Sequence, residues 1–346
     1  MNIAVVFGGK SSEHDVSLVS ATSIIKNINK EKFNVIMIGI TKQGEWFRYS
    51  GDIKDIQNDK WIGHDCEKCQ FDMTYGSKDL LLFGEEIKRI HVDCVFPVLH
   101  GKNGEDGTIQ GFLTLCGIPF VGCDMLSSAM SMDKQITNVM ADYVGIKQAK
   151  WTSCLDIDFD DEFIDMTIAK LGFPIFVKPA NAGSSVGVSK AKNREGLINA
   201  ANLAFTHDRK VVFEEAIVGL EVECAVLGNE APIASRVGSV IACGEFYDYD
   251  SKYINESKIE IPANIDKKVE ARIQIAAIEI YKIMGCSGLS RIDFFLTEKN
   301  EIYFNELNTI PGFTSISMYP SLFGISGISY SDLITKLIEF ALARRI

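Results

Sequence analysis

The sequence predicts an α/β fold for the first third of the chain and an α+β arrangement for the C-terminal part. Two patterns support this prediction: the first third alternates apolar strand-like runs with helix-like segments, and the last third is rich in strands. The continuous apolar run at residues 3–7 is typical of a parallel strand buried on both faces. We therefore expect an open parallel sheet at the N-terminus, with ligands at the carboxyl ends of its strands.

Four further segments define this N-terminal sheet. A helical period covers residues 16–28, and a second strand is predicted at residues 33–40. Residues 41–89 are irregular and polar, and we interpret them as an insertion on the rim of the domain. A buried strand at residues 92–99 leads into a glycine-rich loop that begins at His100.

The rest of the chain mixes helices with strands. The middle segment contains a predicted helix whose N-cap is Asn193. Residues 243–262 are loose and polar, and their aromatic and Lys side chains indicate either a lid that closes over a site or a mobile surface loop. Long helices are predicted at residues 266–284 and 330–343.

Length and composition restrict the class of protein. The chain has 346 residues, 47% of them hydrophobic, which suggests two or three domains. We divide it at residues 1–122, 123–214 and 215–346. The net charge of −11 and the lack of a Lys/Arg run argue against a nucleic-acid partner. No apolar run is long enough for a membrane span, and the first residues lack the basic segment of a signal peptide.

The cysteines are more informative about the cellular compartment than about a metal or redox site. Nine scattered cysteines, an odd number, favour a reducing cytoplasm. Cys66 and Cys69, with His64 nearby, resemble half of a zinc site, but no second pair stands at a suitable spacing. We expect an exposed loop here, with a structural or redox role as the alternative.

A predicted β-hairpin near the C-terminus carries the most informative polar residues. If its turn centres on residues 299–300, Asp293 faces Glu306 and Arg291 faces Asn308, all on one side of the sheet. Facing carboxylates repel unless a cation lies between them. Their hard oxygen ligands suit Mg²⁺ carrying a nucleotide phosphate. The alternative is a surface hairpin with solvated acids.

A loop of small residues follows an apolar strand that ends at Lys178. Gly183 and Gly187 let the backbone approach a phosphate, and consecutive N–H groups can form an anion-binding nest. The loop is not a Walker A motif, so an ordinary hairpin turn remains the alternative.

Two polar residues stand beside glycine-rich turns in the N-terminal domain. Glu13 lies near the start of a predicted helix, where it either interacts with the helix dipole or holds a substrate ammonium group. His100 follows a buried strand, and a lone His in this position is either structural or functional.

Taken in order, these motifs resemble the D-alanine–D-alanine ligase family of ATP-grasp enzymes. The likeness covers essentially the whole chain, and the order and spacing of so many motifs make it specific. The matching strings are Val6-Phe7-Gly8-Gly9, Glu13-His14-Asp15-Val16-Ser17, Leu99-His100-Gly101-Lys102, Gly104-Glu105-Asp106-Gly107, Met132-Asp133-Lys134, Val177-Lys178-Pro179, Gly183-Ser184-Ser185-Val186-Gly187, Tyr249-Asp250-Ser251-Lys252-Tyr253, Arg291-Ile292-Asp293 and Asn305-Glu306-Leu307-Asn308-Thr309.

The resemblance implies an ATP-grasp architecture and a two-step reaction. ATP phosphorylates the carboxylate of a first D-alanine, and the amine of a second D-alanine attacks the acyl phosphate. The products are the dipeptide, a precursor of peptidoglycan, with ADP and phosphate. Such phosphoryl transfer depends on positioning and charge neutralisation. The family also implies a cytoplasmic homodimer.

The resemblance also implies roles for individual residues. Residues implied to act in catalysis are Glu13, Ser184, Lys252, Tyr253, Arg291 and Gly312. Those implied to bind the amino acids are Glu13, His100, Ser315, Ser317 and Met318. Those implied to bind ATP are Lys134, Lys178, Ser185, Glu214, Glu215, Ile217, Glu221 and Lys252. Those implied to hold two Mg²⁺ ions, with Mn²⁺ as the alternative, are Asp293, Glu306 and Asn308.

The second substrate divides the family. Vancomycin-resistance D-alanine–D-serine ligases usually carry Arg at the position of Met318, and an apolar Met suits a methyl group better than a hydroxymethyl group. Other strings, such as Gly44-Glu45-Trp46, look like the D-serine subgroup. We favour D-alanine, with D-serine as the alternative. A different ATP-grasp ligase and a non-catalytic nucleotide-binding regulator are the remaining interpretations.

Overall fold

The computed structural model describes residues 1–63, 65–241 and 258–344, and these contain three sheets. The N-terminal sheet has seven strands in the order β6-β5-β4-β3-β2-β1-β7. Only β1 with its neighbours β2 and β7 is parallel, and the other pairs are antiparallel. Its strands are β1 (Asn2–Gly8), β2 (Asn34–Ile40), β3 (Trp46–Tyr49), β4 (Cys66–Phe71), β5 (Asp79–Phe83), β6 (Ile87–His91) and β7 (Cys94–Val98).

The predicted insertion at residues 41–89 is wrong, because β3 to β6 extend the sheet there. These strands are four to six residues long, and each has partly or fully exposed positions. Polar residues are compatible with short antiparallel strands, because one face of an antiparallel sheet can be exposed to solvent. The polar composition was therefore not evidence against strands here. Cys66 and Cys69 lie on β4, Cys69 is buried, and the expected exposed loop is therefore also wrong.

Five helices belong to the first 143 residues. They are α1 (His14–Asn27), α2 (Ile53–Gln57), α3 (Thr108–Cys116), α4 (Met125–Met132) and α5 (Lys134–Tyr143). Helix α1 packs against β1 and presents Ser17 and Ser20 to the interior, where both are fully buried. The Ser17 hydroxyl accepts from the backbone N–H of Gly8 at 2.8 Å and donates to the carbonyl of Val98, so α1 fixes the ends of two strands.

The second sheet is antiparallel and has the order β10-β9-β11-β8. Its strands are β8 (Trp151–Leu155), β9 (Ile175–Pro179), β10 (Ser189–Ala191) and β11 (Lys210–Glu215), and its helices are α6 (Asp161–Leu171) and α7 (Arg194–Phe205). The predicted N-cap of α7 is confirmed, since the Asn193 side chain accepts from the N–H of Gly196 at 2.8 Å.

The third sheet has the order β14-β13-β12-β15-β16 and is also antiparallel. Its strands are β12 (Leu220–Gly228), β13 (Ile233–Ile241), β14 (Lys258–Glu260), β15 (Gly288–Leu296) and β16 (Ile302–Asn308), and its helices are α8 (Lys267–Ile283), α9 (Met318–Ile325) and α10 (Tyr330–Ala343). The predicted final helix at 330–343 is confirmed at both ends.

The predicted hairpin register is confirmed in β15 and β16. Asp293 pairs with Glu306, and Arg291 pairs with Asn308. A β-bulge beside Asp293 shifts the register by one residue on the turn side. The four polar residues therefore stand on one face, as the period of two requires.

One apolar core joins the N-terminal sheet to the C-terminal helices. Phe7 and Val98 of that sheet share a buried cluster with Phe313, Tyr319 and Leu337. The division at 1–122, 123–214 and 215–346 stays a prediction, but the core shows that the first and last segments pack as one body. Within the described ranges, no helix has the length and apolar content that crossing a membrane requires.

Candidate active site

The hairpin β15–β16 forms the acidic end of the site. Asp293 is fully buried, and its two oxygens accept from Arg291 Nε at 2.8 Å and Nη2 at 2.7 Å. Asn308 donates to the same carboxylate at 3.1 Å. Burial lowers the pKa of Arg291, but the charges of Asp293 and Glu223 outweigh it and raise that pKa well above its usual value. Arg291 is thus a fixed cation beside the facing pair Asp293 and Glu306.

Glu223 is a site residue that the sequence analysis missed. It lies on β12 directly opposite Asp293, and its carboxylate is 2.8 Å from Arg291 Nε. The carboxylate oxygens of Glu221, Glu223 and Asp293 come within 4.8 Å of one another. Two acids spaced by one residue in an apolar strand were the available signal. Glu221, expected at the adenine and ribose site, therefore stands with the acidic cluster.

The expected phosphate lysines meet around one buried acid. Lys178 Nζ donates to Glu214 at 2.6 Å, and Asn138 donates to the other Glu214 oxygen at 3.1 Å. Burial raises the pKa of Glu214, but the Lys178 charge and hydrogen bond turn the net shift downward. Lys134 Nζ donates to the carbonyl of Ala182 at 2.6 Å and so contacts the small-residue loop. These contacts hold two cations beside the loop expected to bind phosphates.

Glu13 lies between two glycine-containing loops. The Ser184 hydroxyl donates to its carboxylate, so the expected contact between these two residues is present. A Cβ on Gly101 would collide with the other Glu13 oxygen, and one on Gly183 would lie 3.2 Å from it. Ser184 and Ser185 adopt φ of 49° and 58°, a costly conformation for residues with a side chain. The loops are therefore shaped around the Glu13 carboxylate.

Glu105 is a second acid that the sequence analysis missed as a site residue. It accepts from the N–H of Gly101 at 2.7 Å. Burial, followed by the nearby charge of Glu13, raises the pKa of Glu105 to about 8. The Glu306 charge also raises this pKa, so Glu105 lies near enough to the acidic hairpin to respond to its charge. An acid inside a glycine-rich loop after a buried strand was the signal available for it.

His100 is buried, and both of its ring nitrogens have partners. Nδ1 lies 3.1 Å from the carbonyl oxygen of Ile310, and Nε2 lies 3.2 Å from Ser20 Oγ. Burial lowers the pKa of His100, and the Glu13 charge opposes this shift without reversing it. The expected role in binding the first amino acid stays a prediction. Ser20 was not singled out from the sequence, because a Ser inside a helix carries little signal.

The residues expected near the second amino acid differ in position. Ser315 is exposed, whereas Met318 is only 5% exposed and belongs to the apolar core. A Cβ on Gly238 would contact the Met318 sulfur, so Met318 fills space against β13. Ser317 Oγ accepts from the N–H of Thr314 at 2.9 Å and orders the preceding turn. Packing is therefore the role of Met318 that these contacts support, and substrate contact stays a prediction.

Of the remaining expected residues, some are described by the structure and others are not. Glu215 accepts from the N–H of Lys150 at 2.9 Å at the end of β11, and Ile217 follows it as a half-buried residue. Lys252 and Tyr253, the expected lid residues, lie outside the described residues. Their roles stay predictions.

Comparisons with known proteins agree along the whole chain. The family models D-ala D-ala ligase N-terminus and C-terminus match residues 2–123 and 134–339. A D-alanine–D-alanine ligase from Caldicellulosiruptor bescii is 49% identical over 350 residues, covering 99% of this chain and 96% of the relative. The crystal structure of VanG D-Ala:D-Ser ligase from Enterococcus faecalis has a TM-score of 0.92 and 45% identity, covering 98% and 99% of the two chains.

A second similar structure contains a nucleotide. The D-alanine–D-alanine ligase from Bacillus anthracis complexed with ATP has a TM-score of 0.74 and 28% identity, covering 99% of this chain and 97% of that one. Fold and site together define an ATP-grasp enzyme. The chain belongs to the D-alanine–D-alanine ligase family. The predicted family, fold class and ligase activity are confirmed.

Proposed function

We propose that this chain joins two D-alanines into D-alanyl-D-alanine, with ATP converted to ADP and phosphate. The main observation is that the charges of Glu13 and Glu306 both raise the pKa of Glu105, which is half-buried. Glu105 accepts from the N–H of Gly101, and the Cα of Gly101 faces the Glu13 carboxylate. An acid suited to an ammonium group therefore lies near an acidic hairpin suited to the Mg²⁺ that carries a phosphate tail. The Ser184 contact to Glu13 brings the phosphate loop to the same place.

The chemistry follows from these neighbours. A carboxylate is a poor electrophile, so the first D-alanine carboxylate takes the γ-phosphoryl group of ATP and gains a phosphate leaving group. Glu13 holds the ammonium of this first amino acid, while Lys134 and Lys178 neutralise ATP phosphates. The amine of the second D-alanine attacks the acyl carbon, and phosphate leaves. Arg291 and the N–H of Gly312 stabilise the oxyanion that develops during this attack.

The acidic cluster fits Mg²⁺ by the chemistry of its donors. Asp293, Glu306 and Asn308 are the proposed ligands of two Mg²⁺ ions, with Mn²⁺ as the alternative, and Glu223 adds a carboxylate opposite Asp293. When bound, the ions neutralise phosphate charge during transfer. Arg291 fixes the orientation of the Asp293 carboxylate through two hydrogen bonds.

D-serine as the second amino acid is the alternative. The 45% identity and TM-score of 0.92 with VanG D-Ala:D-Ser ligase favour it. The 49% identity with a protein named D-alanine–D-alanine ligase favours D-alanine. We also propose a cytoplasmic homodimer that supplies the dipeptide for peptidoglycan precursors, with D-amino acids and ATP as its small-molecule partners.

The test is phosphate release from ATP by the purified chain with D-alanine alone and with D-alanine plus D-serine. We expect release that depends on D-alanine, together with D-alanyl-D-alanine as the main dipeptide. D-alanyl-D-serine as the main product would move the assignment to the alternative. ATP binding without release under either condition would indicate a regulator.

Replacement of Glu306 by Gln tests the proposed metal ligands. We expect turnover to fall at least about a hundredfold with the fold intact, because loss of the carboxylate weakens binding of the Mg²⁺ that would neutralise the phosphates. The measurements are dipeptide formation over a range of Mg²⁺ concentrations and circular dichroism. Glu298→Gln, in the exposed turn of the same hairpin, is the matched control. Dipeptide synthesis at the wild-type rate by Glu306→Gln would remove Glu306 from the metal site.

A further inference from the structure

A buried chain of hydrogen bonds connects α1 to the loop after β16. The N–H of Phe313 donates to Ser20 Oγ over 3.4 Å. Ser20 Oγ lies 3.2 Å from His100 Nε2, and His100 Nδ1 lies 3.1 Å from the carbonyl oxygen of Ile310. Ser20 is fully buried and His100 is 5% exposed, so water does not compete for these contacts.

The partners determine where the protons are. The carbonyl of Ile310 can only accept, so Nδ1 of His100 carries a hydrogen. In the neutral ring Nε2 then accepts, and the Ser20 hydroxyl must donate to it. The Ser20 oxygen keeps a lone pair for the N–H of Phe313. Each donor in this hydrogen-bond network has one acceptor, which is the arrangement that a buried polar network needs.

The two ends of this hydrogen-bond network lie on either side of Gly312 in the sequence. Ile310 and Phe313 are the residues on either side of Pro311 and Gly312, and both are tied to N-terminal elements by the same two side chains. We propose that Ser20 and His100 are positioning residues that aim the Gly312 N–H at the oxyanion. This inference rests on the proposed function and adds two residues that act on it through the backbone.

Phe313 makes other contacts besides this hydrogen-bond network. We therefore expect the loop to stay folded when the network is removed. Its ring packs on Phe96, Tyr319 and Tyr330 with centroid distances of 6.2, 5.6 and 5.5 Å. The Tyr330 hydroxyl also donates to the carbonyl of Phe313. Removal of Ser20 Oγ therefore frees the Gly312 segment to shift while its neighbours stay packed. A misplacement of about 1 Å at a reacting centre can cost about a hundredfold in rate.

The experiment compares Ser20→Ala and His100→Asn with two controls. Asn keeps a donor near the position of Nδ1 but removes the acceptor for Ser20. Thr22→Val deletes a buried hydroxyl of the same helix that donates to the carbonyl of Leu18 at 2.8 Å, within the helix itself. Ser20→Thr restores the hydroxyl. We expect kcat to fall about tenfold to a hundredfold in Ser20→Ala and His100→Asn, with KM for ATP and for the first D-alanine within about twofold.

Two readouts separate positioning from a general structural effect. A tetrahedral phosphinate analogue of the dipeptide adduct should lose affinity in Ser20→Ala by the same factor as kcat/KM, since it depends on the oxyanion donors. Hydrogen exchange of the Phe313 amide should quicken at least about tenfold in Ser20→Ala and not in Thr22→Val. The exchange measurement needs no turnover, so it tests the contact even if the wild-type chain makes no dipeptide.

Several results would overturn the proposal. Wild-type kcat in Ser20→Ala would remove the positioning role. A loss confined to KM for the first D-alanine would assign His100 to substrate binding instead. An equal loss in Thr22→Val would show a general effect of a missing hydroxyl. An inactive wild-type chain would contradict the proposed function separately, and unchanged exchange at Phe313 would then contradict this inference as well.

Discussion

Glu105 responds to the charges of two other acids of the site, Glu13 and Glu306, although like charges close together destabilise the folded chain. The protein keeps one proton there, because burial and the Glu13 charge raise the pKa of Glu105 to about 8. Such a cluster is expected where a protein binds cationic groups. In the proposed function, the substrate ammonium and the metal ions supply the positive charge.

Glu105 therefore predicts how stability depends on pH. Its pKa is 4.5 in the reference state and about 8 in the fold, so between these values the folded chain holds the extra proton. Stability then falls as pH rises from about 5 to 8, by at most about 1.4 kcal/mol per pH unit from this group. Glu105→Gln should flatten this slope. Urea unfolding at several pH values, without metal or amino acid, measures it.

The control for this prediction is the exposed Glu298. Glu298→Gln removes an acid outside the cluster and should keep the wild-type slope between pH 5 and 8. An equal slope in wild type and Glu105→Gln would show that Glu105 is ionised in the folded chain.

Among the elements, features that depend on residues close in sequence were predictable, and pairings between strands distant in sequence were not. The helix at 330–343 and the N-cap Asn193 depend on neighbours in sequence, and both are confirmed. The pairing of Asp293 with Glu306 was accessible because a hairpin is local. Glu223 was missed because it meets Asp293 only through the pairing of β12 with β15, which the sequence does not encode locally.

In the N-terminal sheet, a local property of the sequence led to a wrong prediction. Polarity at residues 41–89 indicated an irregular insertion, yet four antiparallel strands continue the parallel core. Trp61, in the connection between β3 and β4, is fully buried against Phe7 at a ring distance of 5.2 Å. This part of the sheet is thus packed against a large buried aromatic residue, which an average over the polar neighbours in sequence conceals.

Gly39→Ala tests this packing. A Cβ on Gly39 of β2 would collide with the Trp61 ring, so the ring or the strand must move. We expect a loss of about 1–3 kcal/mol in the free energy of unfolding, as is typical of overpacked cores. Denaturant unfolding followed by Trp fluorescence measures the change. Gly324→Ala, where a Cβ meets open space, is the control, and equal stabilities of the two variants would contradict the packing account.

For the molecule as a whole, Arg344 ties the region after the last described helix to two distant segments. Arg344 Nη1 donates to the carbonyl of Gly122 at 2.6 Å and to Ser287 Oγ at 2.7 Å, and Nη2 donates to the carbonyl of Phe120 at 3.1 Å. Its guanidinium also lies 4.4 Å from the Phe120 ring centroid. One side chain therefore connects three parts of the chain.

Arg344→Ala should destabilise the whole chain. The substitution leaves partly buried acceptors without their donor, which costs about 2–4 kcal/mol in the free energy of unfolding. Thermal and urea unfolding measure this loss. Arg209→Ala replaces an exposed Arg and should change stability by less than about 0.5 kcal/mol. Similar stabilities of the two variants would show that the Arg344 contacts contribute little.

The transfer of oxygen tests the proposed reaction most directly. D-alanine labelled with ¹⁸O in its carboxylate is supplied with ATP and Mg²⁺, and the phosphate released is analysed by mass spectrometry. Attack of the carboxylate on ATP, followed by displacement of phosphate by the second amine, transfers one labelled oxygen to phosphate. We predict one ¹⁸O per phosphate for each dipeptide formed. Dipeptide formation with unlabelled phosphate would contradict an acyl phosphate intermediate.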